Sequence, residues 1–321
     1  MPNVTASFSV MSSLLTEPIT RGEVQPEGLS LEVHAPESID KLSRDMLDLR
    51  FDIGEMSVAT FLKAVEEGLP LIGLPLFTSG RRFLQPYFQL SRASGARDLS
   101  GLKGKTVGAP QYWMSTAVWQ RLILRQMHGV APEDVNWLTW QPERLASLRI
   151  PGGVNLRQDT SGRTPLELMQ AGEIDASLNP FPSRDGAAAQ DVATPAYQDR
   201  VAAQRDFYRQ TGIFPIMHLT VMKCDLAERE PAIAGALCDA YQEAKGLVQA
   251  RTEPSNAPQP SAGETTREMV ELMGSDPWPY GISRNQKVLQ TLLDISAEQG
   301  LLGRAFTVEE LFVPSLPEAY R

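Results

Sequence analysis

Four groups of side chains have the types and spacing to do chemistry. His218 follows the apolar run Ile213-Phe-Pro-Ile-Met217, and an imidazole exchanges a proton near neutrality, with a model-compound pKa of about 6.5. The plainer reading of such a residue is a satisfied core histidine, and the residues alone leave both open. Arg81 and Arg82 come next, after the turn Thr78-Ser-Gly80. A guanidinium fork matches a carboxylate with two parallel hydrogen bonds. Neighbouring side chains point apart, so one arginine is expected inward and the other in solvent, with Arg82, beside Phe83, preferred over Arg81; two solvated arginines are the alternative. Glu55 and Ser57 end a strand where a helix begins. Ser57 can cap that helix or face a ligand drawn to its free N–H groups, and Glu55, in an apolar strand end, needs a partner such as a phenol or an arginine. Gln111, Tyr112, Ser115 and Thr116 hold the equivalent place at the start of a second helix. There Tyr112 and Trp113 either sandwich a planar ring or pack in the interior. Asn179 and Arg184 complete the polar candidates. Together these groups suit holding a small planar anion and moving a proton.

Such side chains must be positioned by an alternating chain. The first third reads strand Ala6–Val10, strand Ser30–His34, helix Ser38–Leu49, strand Phe51–Met56, helix Val58–Glu67 and strand Leu71–Phe77, with Gly68-Leu-Pro70 stopping the second helix. Pro86–Arg92 reads as a further strand. A second unit follows: strand Thr106–Ala109, a long helix from Ser115 to Met127, strand Val135–Trp140, a helix Thr164–Gln170 opened by Thr164 with Glu167 three residues on, and strand Ile174–Leu178. Ser183–Ala203 is polar and Ala-rich, and Gly212–Met222 returns to strand character. Pro231–Ala250, Glu264–Met273 and Arg284–Glu298 read as helices around a Pro- and Ser-bearing linker at Arg251–Ala262. The expected organisation is lobe one over residues 1–91, lobe two over 92–210, and a return to lobe one over 211–321. A chain crossing twice between lobes is expected to leave a ligand cleft between them.

Composition removes several classes of function. The 321 residues carry a formal net charge of -9 with no Lys/Arg run longer than a pair, so a nucleic-acid surface is not expected. Nor is a membrane span, since no stretch approaches about 18 consecutive apolar residues. The start Met-Pro-Asn-Val-Thr-Ala-Ser-Phe-Ser-Val lacks the basic and apolar regions of a secretory signal, which gives a cytoplasmic protein as the expectation. Cys224 and Cys238 are expected as reduced thiols. The three histidines, His34, His128 and His218, are scattered without metal-ligand spacing, so no metal is expected. No phosphate-binding glycine loop, dinucleotide fingerprint or nucleophile elbow is present.

Several segments together resemble the 4,5-dihydroxyphthalate decarboxylases. They are Asp52-Ile-Gly-Glu-Met-Ser57, Gly80-Arg-Arg-Phe83, Leu102-Lys-Gly-Lys-Thr-Val-Gly-Ala-Pro-Gln-Tyr-Trp-Met-Ser-Thr-Ala117, Leu168-Met-Gln-Ala-Gly-Glu-Ile-Asp-Ala176 and Tyr208-Arg-Gln-Thr-Gly-Ile-Phe-Pro-Ile-Met-His218. The Leu-x-Gly-Lys-x-Val-Gly and Gly-Glu-Ile-Asp-Ala elements are common to many solute-binding proteins and speak to fold; the others are narrower. The resemblance implies a two-lobed α/β architecture of the type II periplasmic-binding-protein fold, each lobe a mixed, mainly parallel sheet flanked by helices. It also implies decarboxylation of a hydroxylated aromatic dicarboxylate by ring-carbon protonation, without a cofactor, with His218 as acid and Glu55 as a second catalytic candidate. It departs at Leu178-Asn-Pro-Phe-Pro-Ser-Arg184, where a Pro-Arg-Pro-like turn is usual, which marks Arg184 as a displaced arginine and leaves room for a different substrate. The fold alone fits a second function, the solute-binding component of an uptake system for a small organic anion. A thiamine-pyrimidine-synthase-like enzyme would call for His-rich motifs that are absent. A homo-oligomer is expected from enzyme habit alone.

Overall fold

The computed structural model describes residues 4–179, 186–251 and 266–321. Arg184 and residues 252–262 of the expected linker lie outside them. Eleven strands are described in chain order: β1 Val4–Ser9, β2 Leu29–Val33, β3 Ile53–Ser57, β4 Leu71–Leu74, β5 Gln89–Ser91, β6 Thr106–Ala109, β7 Asn136–Thr139, β8 Asn155–Gln158, β9 Ala176–Ser177, β10 Ala193–Pro195 and β11 His218–Lys223. They form two sheets, one in each of two compact units. The first unit comprises residues 1–82, 216–294 and 304–321, and the second 83–215 and 295–303. The chain thus first changes unit after Arg82, and β5, which the sequence reads before the crossing, pairs inside the second unit. It also returns there once more, for the nine residues 295–303.

In the first unit the strand order is β2-β1-β3-β11-β4. β1, β2 and β3 run parallel, and β11 is inserted antiparallel between β3 and β4. Every residue of β3 is buried, as a central strand covered on both faces requires. The helix Ile39–Leu47 crosses β3 at Gly54. A Cβ there would lie 2.4 Å from the Met46 sulfur, so glycine permits the approach. Ser38 caps that helix by accepting from the Lys41 N–H at 3.1 Å.

In the second unit the order is β10-β5-β9-β6-β7-β8, with β9, β6, β7 and β8 parallel, β5 antiparallel to both its neighbours, and β10 therefore running in the direction of the other four. Leu138, Leu168, Met169, Ile174 and Ala193 form a buried cluster there, with Trp140 and Val192 packed against it. The helix Pro165–Gln170 opens with the expected reciprocal cap between Thr164 and Glu167.

Proline explains where strands are shorter than the sequence reads. β4 ends at Leu74 because Pro75 has no N–H for the ladder, and Pro215 likewise keeps Ile213–Met217 out of the sheet, so the strand expected over Gly212–Met222 is only His218–Lys223. Pro86 falls in a 3₁₀ turn, Gln85–Tyr87, ahead of β5. Two readings missed structure. β8 is an edge strand with only Leu156 apolar, and the polar stretch after residue 185 holds the helix Gly186–Val192, β10 and the helix Arg200–Thr211 capped by Asp199. Among the described residues no helix is long and apolar enough to cross a membrane.

Candidate active site

The antiparallel insertion of β11 decides what meets what. His218 opens β11 rather than closing a strand, and it lies opposite Ser57, with Thr220 opposite Glu55. Paired residues of an antiparallel ladder project to the same face. The imidazole and the carboxylate therefore share one face of the first unit's sheet, at the edge where β3 ends. The loop after β4 closes over them, tied by the Thr220 N–H to the Leu76 carbonyl at 3.0 Å.

Three atoms form a triangle. His218 Nδ1 is 2.9 Å from Glu55 Oε1 and 2.9 Å from Ser79 Oγ, and Ser79 Oγ also bonds Glu55 Oε1. The other carboxylate oxygen, Oε2, accepts the Met11 N–H at 3.1 Å. Glu55 is 1% exposed, and a buried carboxylate is tolerable because donors surround it. An ionised carboxylate can only accept, so the Nδ1 proton points at Glu55 and Ser79, and the serine hydroxyl donates to Glu55. That tautomer leaves Nε2 as the nitrogen that picks up and releases a proton. Ser79 was not among the residues singled out from sequence. The faint signal is the Ser-Gly pair before the arginines, since Gly80 adopts φ +65° and its α-carbon passes against the imidazole.

Of the two arginines it is Arg81, not the preferred Arg82, that is buried. Arg81 is 4% exposed, with its guanidinium 5.9 Å from the Phe77 ring centroid and Nη1 donating to the Pro279 carbonyl at 3.4 Å. Arg82 is half-buried. Ser57 precedes the helix Val58–Glu66, but its side chain makes no cap hydrogen bond. The N–H groups there are already used, Ser57 N by the Ser43 hydroxyl at 3.2 Å and Val58 N by the Met217 carbonyl at 2.8 Å.

In the second unit Gln111, Tyr112, Ser115 and Thr116 stand before and within the first turn of the helix Ser115–His128. Here too the backbone donors have an occupant. Glu143 Oε1 accepts from the N–H of Tyr112 at 2.7 Å and of Trp113 at 3.3 Å. Burial raises the Glu143 pKa, against those two hydrogen bonds and the nearby Arg121. Gln111 donates to the Pro142 carbonyl at 2.5 Å. Of the two readings of Tyr112 and Trp113, interior packing is the one that the burial supports. Tyr112 is fully buried and Trp113 2% exposed, and the space over the Tyr112 ring is filled by Arg121, 3.9 Å from its centroid. Asn179 is half-buried, its main chain pinned at both N–H and C=O by the Ser177 hydroxyl.

With the geometry in place, the known proteins can be compared. No family model matches the chain. A 4,5-dihydroxyphthalate decarboxylase of Comamonas testosteroni is 29% identical, with the whole of both chains covered. A second decarboxylase of that name, from Pseudomonas putida, is 28% identical over 65% of this chain and 83% of its own. This chain resembles the 4,5-dihydroxyphthalate decarboxylases from end to end. Among solved structures, the periplasmic aliphatic sulphonate binding protein SsuA of Escherichia coli superposes with a TM-score of 0.57 at 13% identity, covering 97% of each chain. The fold is thus that of the periplasmic binding proteins, built here as two α/β units.

Both relatives are named as decarboxylases, and the match to the first of them spans the whole chain, the residues of the triangle included. Among the described residues no three His, Cys, Asp or Glu side chains gather to hold a metal ion. A first test needs no substrate. A Cβ on Gly80 would sit 2.7 Å from His218 Nδ1, in a backbone conformation unfavourable to alanine. Gly80→Ala is expected to cost about 1 to 3 kcal/mol by urea unfolding and to move the imidazole resonances of His218. Unchanged stability and resonances would contradict the close packing.

Proposed function

We propose that the protein is a carboxy-lyase for a small hydroxylated aromatic acid of the 4,5-dihydroxyphthalate type, with His218 as proton donor. The end-to-end similarity to a named decarboxylase carries the reaction class. The triangle supports the assignment of roles. In the protonated imidazole, Nδ1–H stays with Glu55 and Ser79 while Nε2–H is presented outward. Electron density from a ring hydroxyl para to the carboxylate-bearing carbon draws that proton onto the carbon, giving a cyclohexadienone-like intermediate. The carbon–carboxylate bond then breaks, CO2 leaves, and its electron pair restores the ring, giving a protocatechuate-like product. The neutral imidazole takes a fresh proton at Nε2 for the next turn. Glu55 keeps the ring oriented and offsets its charge. Arg81 or Arg82 would anchor the second carboxylate. Ser57, Gln111, Ser115, Thr116, Asn179 and Arg184 are proposed only as substrate contacts of lower rank, and Tyr112 leaves that set because its ring is interior.

The experiment is CO2 release from 4,5-dihydroxyphthalate and a panel of hydroxylated benzoates and phthalates, with no cofactor added. Turnover of at least one dihydroxyphthalate is expected. The likeness to SsuA favours a second reading, in which the protein holds a small organic anion and does not transform it. Tight binding with no turnover across the panel would establish that reading and end the first.

A further inference from the structure

The second unit contains a cavity of about 400 Å3 built wholly from its own residues. One wall is a stripe along the helix Arg200–Thr211 and the residue that caps it. Asp199, Ala202, Ala203, Asp206 and Gln210 line the cavity, at the three- and four-residue spacing that puts side chains on one helix face. The two alanines leave the space open, and the two aspartates bring the charge. Arg200, Arg205 and Arg209 of the same helix do not line it, and among the described residues no lysine or other arginine does. Asp199 Oδ1 accepts the Ala202 N–H at 2.9 Å, which leaves its second oxygen without a hydrogen bond, and Asp206 is exposed with no ion pair among the described residues.

The rest of the lining has the same electrical character. Met127 and His128 belong to the carboxyl end of the helix Ser115–His128, which closes at Gly129 in the left-handed region, φ +65°. The last carbonyls of a helix carry partial negative charge and favour cations. Burial lowers the His128 pKa, against the nearby Asp98 carboxylate, so at pH 8 the imidazole is neutral and brings no positive charge. Its Nε2 is 2.6 Å from the Tyr197 hydroxyl, and burial keeps that phenol protonated. Gln85, in the 3₁₀ turn ahead of β5, also lines the cavity although it is only 2% exposed, and its amide oxygen has no hydrogen-bond partner among the described residues. A buried amide without a partner costs roughly 1–3 kcal/mol, and a glutamine can turn either end of its amide toward an incoming group.

We propose that this cavity is a binding site for a small organic cation, an alkylammonium ion of the size of a short diamine, held by the carboxylates of Asp199 and Asp206 and by the amide of Gln85. The aspartates are two helical turns apart, about 10 Å along the axis at 1.5 Å per residue. A diamine with four carbons between its nitrogens reaches from one carboxylate to the other, each ammonium donating to an aspartate. The same charges exclude a dicarboxylate, so the site is not a second place for the acid on which the decarboxylase reading rests. It goes beyond that reading, and its test reads no turnover.

The three histidines make imidazole NMR a direct reporter, with His128→Asn assigning the signal at the cavity. In the full chain at pH 8 and low salt, 1,4-diaminobutane is expected to shift the His128 resonances saturably, with a midpoint in the millimolar range or tighter, and to leave those of His34 and His218 unmoved. Butyrate, of similar length and opposite charge, should shift none of them. Asp206→Lys, at an exposed position, should weaken the diamine at least tenfold by placing a like charge beside it, and Ala203→Leu should do the same by filling the space. Gln85→Met should also bind more weakly while its thermal midpoint stays at or above that of the parent, because the amide it removes leaves no partner behind. No saturable shift of His128, a shift that butyrate reproduces, or one that persists undiminished in Asp206→Lys overturns the proposal. A shift of His218 with His128 unmoved overturns it as well, by putting the amine at the triangle. Asp206→Lys keeps the test decisive if Ala203→Leu does not fold.

Discussion

Replacing His218 by asparagine is expected to slow CO2 release by a factor of about 10² to 10⁴, the usual contribution of a positioned general acid, while the affinity for a dihydroxyphthalate falls by less than tenfold. The asparagine amide can still donate to Glu55 Oε1 in place of Nδ1–H, which is 2.9 Å away in the parent. The carboxylate is therefore not stranded, and folding should survive. What disappears is the second nitrogen, the one proposed to carry the proton to the ring carbon. The split between turnover and affinity is the diagnostic part: a loss of kcat with KM nearly kept removes an interaction made only in the transition state. If His218 were merely a core residue, His218→Asn would lower the unfolding midpoint and leave kcat within a few fold. Steady-state kinetics beside urea unfolding distinguishes the two.

Arg121→Ala is expected to be the most destabilising change in the second unit, by about 3 to 5 kcal/mol. Arg121 is 1% exposed on the helix Ser115–His128 and lies over the ring of Tyr112 and near those of Trp113 and Trp137. Its Nη1 donates to the Tyr112 carbonyl at 2.6 Å and its Nε to Gln299 Oε1 at 2.7 Å. Burial pulls its pKa down to about 10, against the opposing charges of Tyr112 and Glu143. Truncation removes the stack and strands two acceptors. Arg121→Met separates packing from charge. It fills most of the volume and carries no desolvation cost, so its penalty should be no more than about half that of the alanine variant. Four of the five tryptophans, Trp113, Trp119, Trp137 and Trp140, belong to this unit, so tryptophan fluorescence in urea follows it. Equal losses for both variants would mean that the charge, not the packed volume, sustains the loop.

The alternating pattern made both sheets legible, because strand and helix periods are properties of neighbouring residues. His218 and Glu55 were legible because a titratable group in an apolar strand end is conspicuous. That Nδ1 faces inward was not, since the strand carrying His218 runs opposite to its neighbour, and nothing local encodes strand direction. Arg121 and Tyr112 show the reverse difficulty. Arg121 falls on the stripe of Ala117, Val118 and Leu122, where a charge is easily taken for a solvated exception, and an aromatic in a loop looks the same whether it faces a ligand or the core. Their pairing, face to ring, requires the folded loop. Ser79 was harder to see for a simpler reason: apart from the glycine that follows it, a serine in a turn has no distinguishing context until an acid from residue 55 and an imidazole from residue 218 arrive beside it.

That arrival has a timing. Glu55 and the imidazole that completes it are 163 positions apart, and the second unit's long segment is made between them. At roughly 5 to 20 residues per second of synthesis, the ribosome spends about 8 to 33 s with β3 emerged and β11 not yet made. Throughout that interval the central strand of the first sheet lacks one neighbour and carries an acid with no imidazole beside it, while the intervening unit is free to fold. The nascent first unit should therefore depend on chaperones, or on delayed docking, more than its size alone suggests. A permuted gene that places residues 216–251 ahead of Val4 should shorten that exposure and raise the yield of soluble enzyme.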